Sequence, residues 1–183
     1  MATIIDDNYQ PNSASVWPTA IKYGLFIALA GIILQVIGDL AGINDYTGQQ
    51  GGAGSAYGCL IYAVGAALLV AAVKVVRDQL QGGRISFGKA FGTTIATALI
   101  AALVSAVWTY IYFSFINAEA IEIISDTAMQ NAQIDEDQEG AEQVMGFMQG
   151  IFTPGGMAIM SFFFMLLANA VIGLIVAAVM KKD

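Results

Sequence analysis

Two aspartates, Asp39 and Asp45, are the closest this sequence comes to an acid–base pair. Carboxylate catalysis needs one protonated and one ionised partner set about a reacting bond, and no neighbour pairs with these two in a recognisable pattern. The chain has no histidine and one cysteine, Cys59. That composition removes imidazole acid–base chemistry and the usual zinc and haem ligand sets. A lone cysteine closes no internal disulfide. In the run from Asp135 to Gly140, the residues Asp135, Asp137, Glu139 and Gly140 match the opening of an EF-hand calcium loop. The twelfth position, where a bidentate glutamate belongs, is Gly146. The run therefore reads as a solvated acidic face. No residue is assigned to catalysis, to a metal or to a cofactor.

A second set of polar residues lies inside apolar sequence: Gln35, Asp39, Thr97 and Asn169, with Thr93, Thr94 and Ser105 beside Thr97. Ion- and proton-coupled transporters place ionisable groups near the bilayer midplane. Here Asp39 falls near one end of its apolar stretch, where water reaches it. Asn169, facing Thr97 or the nearby backbone, reads as interhelical glue of about 1 kcal/mol.

The elements that carry these residues follow from composition. Of 183 residues, 57% are hydrophobic and 11% charged, too few charges to cover a water-soluble surface of this size. About 20 apolar residues cross a hydrocarbon core as a helix. Four stretches qualify, at 19–41, 57–76, 91–115 and 157–180, and a backbone without water must satisfy itself as helix. The expected fold is an all-α membrane protein in one domain, 18–183, with four transmembrane helices forming two antiparallel hairpins. A polar tail, 1–17, precedes it, with Pro11 and Pro18 as breakers and no features of a cleaved signal peptide.

All seven basic residues, Lys22, Lys74, Arg77, Arg84, Lys89, Lys181 and Lys182, fall on one side of a four-pass chain. The positive-inside rule makes that side cytoplasmic, with both termini there. The other side is acidic. Between spans 3 and 4 lie two stretches with apolar faces, Ile121, Ile124 and Ala128, then Val144, Met145, Met148 and Phe152. They predict two short amphipathic helices broken near 133–135, the second opening on Asp135 with Gln138 as a capping box. Trp17, Tyr23, Tyr57, Trp108, Tyr110 and Tyr112 lie toward span ends, where aromatic rings favour the headgroup layer.

Gly24, Gly31 and Gly38 recur every seven residues, as do Gly51, Gly58 and Gly65, and Gly88, Gly92 and Ala96 form a small-xxx-small run. Each set lines one helix face and is expected to let helices approach closely. On the short basic connection, Gly82-Gly83 makes a turn and Ser86 is placed to cap span 3. Ile85, Phe87 and Phe91 are positioned to dip into the interface, with Arg77, Arg84 and Lys89 as contacts for lipid headgroups or a partner.

The span pattern, the stretch Gly83-Arg-Ile-Ser-Phe-Gly-Lys-Ala-Phe91, Tyr110-Ile-Tyr112 and Phe115-Ile116 resemble the bacterial four-helix membrane proteins of domain-of-unknown-function family 4199. So do the Met-rich acidic segment leading to Pro154 and the lysine-ended C-terminus. The outer segment departs from that pattern in lacking interspersed lysines. The resemblance covers about residues 16–182 and implies a bacterial inner-membrane protein; it carries no activity and no catalytic residue. The expected role is a non-enzymatic accessory or subunit of a membrane complex, the alternative a small oligomeric transporter or channel. Expected partners are the bilayer and other membrane proteins or a second copy, without nucleic acid.

Overall fold

The computed structural model describes residues 15–47, 52–132 and 141–182. Its helices are α1 (Trp17–Leu40), α2 (Gly52–Val75), α3 (Phe87–Ile111), α4 (Glu119–Ala132), α5 (Ala141–Ile151) and α6 (Pro154–Met180). Two of them widen into a π-helical turn at their C-terminal ends, α2 over Val76–Leu80 and α3 over Tyr112–Ile116. Four helices are long and apolar enough to cross a membrane: 24 residues from Trp17, 27 from Gly54, 30 from Phe87 and 27 from Pro154. The chain is a multi-pass membrane protein whose flanks contact lipid.

Pro18, which reads as a breaker, opens a helix instead, as does Pro154. Pro18 stands in the first turn of α1, and Pro154 is the first residue of α6, after Thr153, whose Oγ1 accepts from the Gly156 N–H at 3.0 Å. Proline suits a first turn because that N–H has no intrahelical partner. Ser86 caps α3, its Oγ accepting from the Lys89 N–H at 3.4 Å. The helices α4 and α5 lie where two short ones are expected. The break between them, its capping pair Asp135 and Gln138, the acidic run 135–140, the turn at 48–51 and the tail 1–14 lie outside the described residues.

The bundle puts bulk outside and small residues inside. Leu25, Leu29, Ile33 and Ile37 of α1, and Phe163, Leu167, Val171 and Leu174 of α6, are exposed. In the interior α3 presents Ala90, Thr93, Thr94, Thr97, Ala98, Ala101 and Ala102, all fully buried. Water drives no association in lipid, so close backbone packing has to supply it. The centre of the bundle is accordingly α3, which packs most extensively on α6 and next on α1; the α1–α2 contact is smaller. The sequence-adjacent hairpin of α1 and α2 is thus not the tightest pair.

The glycines sort accordingly. A Cβ on Gly24 would stand 2.7 Å from Ile100 Cβ and 2.8 Å from the Thr97 carbonyl oxygen, and one on Gly38 2.7 Å from the Tyr57 ring. One on Gly65 would meet only Asn169 Oδ1, at 3.9 Å. At Gly31, Gly58, Gly88 and Gly92 it would meet nothing within 4 Å. At these four positions no neighbouring helix of the chain approaches as closely as at Gly24 or Gly38. Two further close approaches were not read from sequence: at Gly173 a Cβ would lie 2.5 Å from Thr94 Oγ1, and at Gly156 2.4 Å from the Gly150 carbonyl oxygen.

At the basic end Val73, Val76, Ile85, Ala90, Val176 and Ala177 form a buried cluster, with Val16, Leu80, Phe91 and Met180 packed on it. The start of α1, the α2–α3 connection and the end of α6 therefore share one end of the bundle. Ile85 and Lys182 exchange two backbone hydrogen bonds of 3.0 Å each. Ile85 is buried there rather than dipping into the interface.

Candidate functional site

At the opposite, acidic end the densest polar arrangement forms around Asp39. Its position begins with how α1 stops. Gly42 takes φ +64°, the Ile43 N–H reaches the Gly38 carbonyl at 2.8 Å and the Gly42 N–H reaches that of Asp39 at 3.1 Å. This is a Schellman motif, and glycine is the residue that adopts its left-handed turn at no steric cost. The motif folds the chain back over the last turn of α1. Asn44 and Tyr46 return to the carboxylate they have just left.

Asp39 Oδ1 accepts from Asn44 Nδ2 at 2.7 Å and from the Tyr46 hydroxyl at 2.8 Å, and its Oδ2 accepts from the Tyr112 hydroxyl at 2.7 Å. The two phenol oxygens are 3.3 Å apart. Tyr112 comes from the π turn ending α3, where the Asn117 N–H bonds the Tyr112 carbonyl at 2.8 Å. That wider turn swings Asn117 back, so that its Nδ2 donates to the Tyr112 hydroxyl at 3.0 Å. Asn117 Oδ1 in turn accepts from the Ala120 N–H in the first turn of α4 at 3.3 Å. One turn deeper, Trp108 Nε1 donates to Gln35 Oε1 at 3.0 Å, Asn44 Nδ2 also reaches the Gln35 carbonyl at 3.1 Å, and the Tyr57 hydroxyl donates to the Leu34 carbonyl. Tyr112, Phe113 and Ala120 are buried beneath, with Tyr46, Trp108, Ile121, Ile124 and Met157 around them.

The chemistry of this arrangement is that of a lock. Three neutral donors from two places in the chain occupy both oxygens of one carboxylate, and charge-assisted hydrogen bonds of this kind are about twice as strong as neutral ones. The Tyr46 phenol is pushed up from its ordinary value, first by burial and then by its bonds to Tyr112 and Asp39, so its proton stays in place. Asp45 does not join. Its Oδ1 accepts from the Thr47 hydroxyl at 2.6 Å and the Thr47 N–H at 2.8 Å, bonds that hold its carboxyl below the usual range. Asp39 and Asp45 therefore do not form an acid–base pair.

The other polar residues singled out from sequence are elsewhere. Gln35 and Asp39 belong to the lock, whereas the hydrogen bonds of Thr97 and Asn169 stay within their own helices. Thr97 Oγ1 donates to the Thr93 carbonyl and Asn169 Nδ2 to the Met165 carbonyl, each at 2.8 Å within its own helix. Asn169 faces Gly65 of α2 across a cavity of about 40 Å³ lined also by Ile27, Gly31 and Tyr62. The correction has a simple cause: a mid-span Asn or Thr satisfies itself on the preceding turn without a partner. At the basic end Arg77 Nε pairs with Asp78 at 2.7 Å, Phe87 stacks on Phe91 with centroids 6.0 Å apart, and Arg84 is exposed.

Sequence reasoning missed Asn44, Tyr46 and Asn117. It assigned Trp108, Tyr112 and Tyr57 to the headgroup belt, although Tyr112 is 3% exposed and all three donate inward. The spacing that unites them is structural: α1 and α3 run parallel, placing Gln35 beside Trp108 and Asp39 beside Tyr112 at one offset. Gly42 just past the end of an apolar span was the one readable signal, as a helix stop.

Comparison with known proteins returns one family, described as Protein of unknown function (DUF4199), matching residues 22–182. No curated protein and no solved structure matches.

Proposed function

We propose a structural role for this chain, which belongs to the family of proteins of unknown function DUF4199: a non-enzymatic accessory or subunit that packs against other proteins in a bacterial cytoplasmic membrane. Its basic end faces the cytoplasm, as the positive-inside rule requires of seven cations gathered at one end. The observation that carries the role is how the polar groups are spent. Asp39 is occupied by Asn44, Tyr46 and Tyr112, and the mid-span Thr93, Thr94, Thr97 and Asn169 bond their own helices. Such an arrangement holds helices in register and leaves the bundle's apolar flanks, with Gly58 and Gly92 open on them, for neighbours in the membrane.

Extraction from native membranes in a mild detergent, followed by mass measurement of the particle, tests this. The expected particle contains the chain at fixed stoichiometry with a companion protein. A strictly monomeric particle with no companion would overturn the role.

The second reading, a small oligomeric transporter, draws on the cavity beside Asn169. It requires reconstituted vesicles to pass ions or small solutes faster than lipid alone. The structural reading expects the two rates to be equal.

A further inference from the structure

We infer that the basic end carries a site for the phosphodiester headgroup of an anionic phospholipid, centred on Arg84 and Lys182. This inference needs only the four-span architecture and is independent of whether the chain is a subunit or a transporter.

The two residues are far apart in sequence and are brought together by backbone. Ile85 and Lys182 face each other through their paired hydrogen bonds of 3.0 Å, so Lys182 is one member of a short bridge and Arg84 stands one residue before the other. The bridge is rigid for two reasons. Ile85 is buried in the cluster formed by Val73, Val76, Ala90, Val176 and Ala177, and the turn leading into it is set by Gly82 and Gly83 at φ +60° and +87°. Arg84 and Lys182 themselves remain exposed. The nearest described acidic group at this end, Asp78, has its Oδ1 2.7 Å from Arg77 Nε, and Lys74 and Lys182 add to the positive field around it. Among the described residues this surface is cationic on balance.

Charge alone suits any anion; the neighbouring ring and the depth select the lipid. Phe87, three residues from Arg84, is 39% exposed and lies flat against Phe91. It begins α3, where a membrane-crossing helix leaves the headgroup layer for the acyl chains. Exposed basic residues and an exposed apolar ring at one end of the bundle match a molecule that is anionic at one end and acyl at the other. Basic residues at that depth attract anionic lipid by an amount equivalent to about fivefold in binding each.

The test titrates full-length protein in neutral detergent micelles with phosphatidylglycerol or with phosphatidylcholine and counts retained lipid by native mass spectrometry. Phosphatidylglycerol is expected to bind more tightly than phosphatidylcholine. Arg84→Gln and Lys182→Gln should each reduce that preference about fivefold, and together about thirtyfold, while Arg84→Lys keeps most of it. Melting in lipid-free micelles, unchanged for these exposed positions, separates loss of binding from loss of fold; should Arg84→Gln melt early, Lys182→Gln carries the comparison. Equal retention of the two lipids by the unaltered protein would overturn the site. So would an undiminished preference in the double variant, or complete displacement of phosphatidylglycerol by inorganic phosphate, which would make it a free-anion site.

Discussion

Asp39 shows how much one residue holds together here. Its two oxygens receive Asn44, Tyr46 and Tyr112, so removing the carboxylate strands three donors that packing has drawn away from water. Asp39→Ala is expected to cost about 3 kcal/mol, because unsatisfied buried donors cost more than their bonds gained. Tyr46→Phe, which removes one donor and leaves the acceptor served by two, should cost about 1 kcal/mol. Thermal melting in neutral detergent measures both. Tyr46 also predicts a pH dependence with a definite sign. Its folded pKa is raised above the ordinary 10.0 by burial and by Tyr112 and Asp39. The folded state therefore holds this proton more tightly, and the contribution is complete below the unfolded value and lost as pH rises above about 10. Between about pH 8 and about pH 11 the unaltered protein should lose more stability than Tyr46→Phe, since only the former has this phenol to ionise.

At the scale of elements, the spans were legible because length and apolarity decide them in lipid, and the cap of α3 because Ser86 stands where a helix start needs it. The faces were not. Helices apolar all round carry no stripe that says which side meets which neighbour, so Gly24 and Gly31 look alike in sequence. In the structure Gly24 lies against Ile100 and the Thr97 carbonyl, and Gly31 against nothing. The Asp39 lock stayed hidden for the same reason: it depends on the parallel register of α1 with α3, and on a π turn that re-aims Asn117. Substitution separates the two kinds of glycine. Gly24→Ala and Gly173→Ala should each destabilise by about 1–3 kcal/mol, because the atoms in the way are backbone or β-branched side chains that cannot swing aside. Gly58→Ala and Gly92→Ala should be neutral or stabilise the purified chain by about 0.5 kcal/mol through helix propensity. If those two instead weaken assembly in native membranes while leaving melting unchanged, the open glycine faces are where a partner helix packs.

The whole molecule is polarised. One end gathers Lys22, Lys74, Arg77, Arg84, Lys89, Lys181 and Lys182 over a buried apolar cluster that ties the start of α1, the α2–α3 connection and the end of α6. The other end holds Asp39, Asp45, Glu119, Glu122 and Asp126 among the described residues, around a lock of tyrosines and asparagines. The proposed headgroup site belongs to the basic end and the Asp39 lock to the acidic end, so both rest on that polarity. Single-cysteine labelling tests it most directly. In a Cys59→Ser background, Ser15→Cys, Ser86→Cys and Lys182→Cys are treated in intact cells with a membrane-impermeant maleimide, alongside Asp45→Cys and Glu122→Cys. Four spans with the cations inside predict that Asp45→Cys and Glu122→Cys react in intact cells, and that the other three react only after the membrane is opened. Labelling of Lys182→Cys and Ser86→Cys from opposite sides would contradict the account.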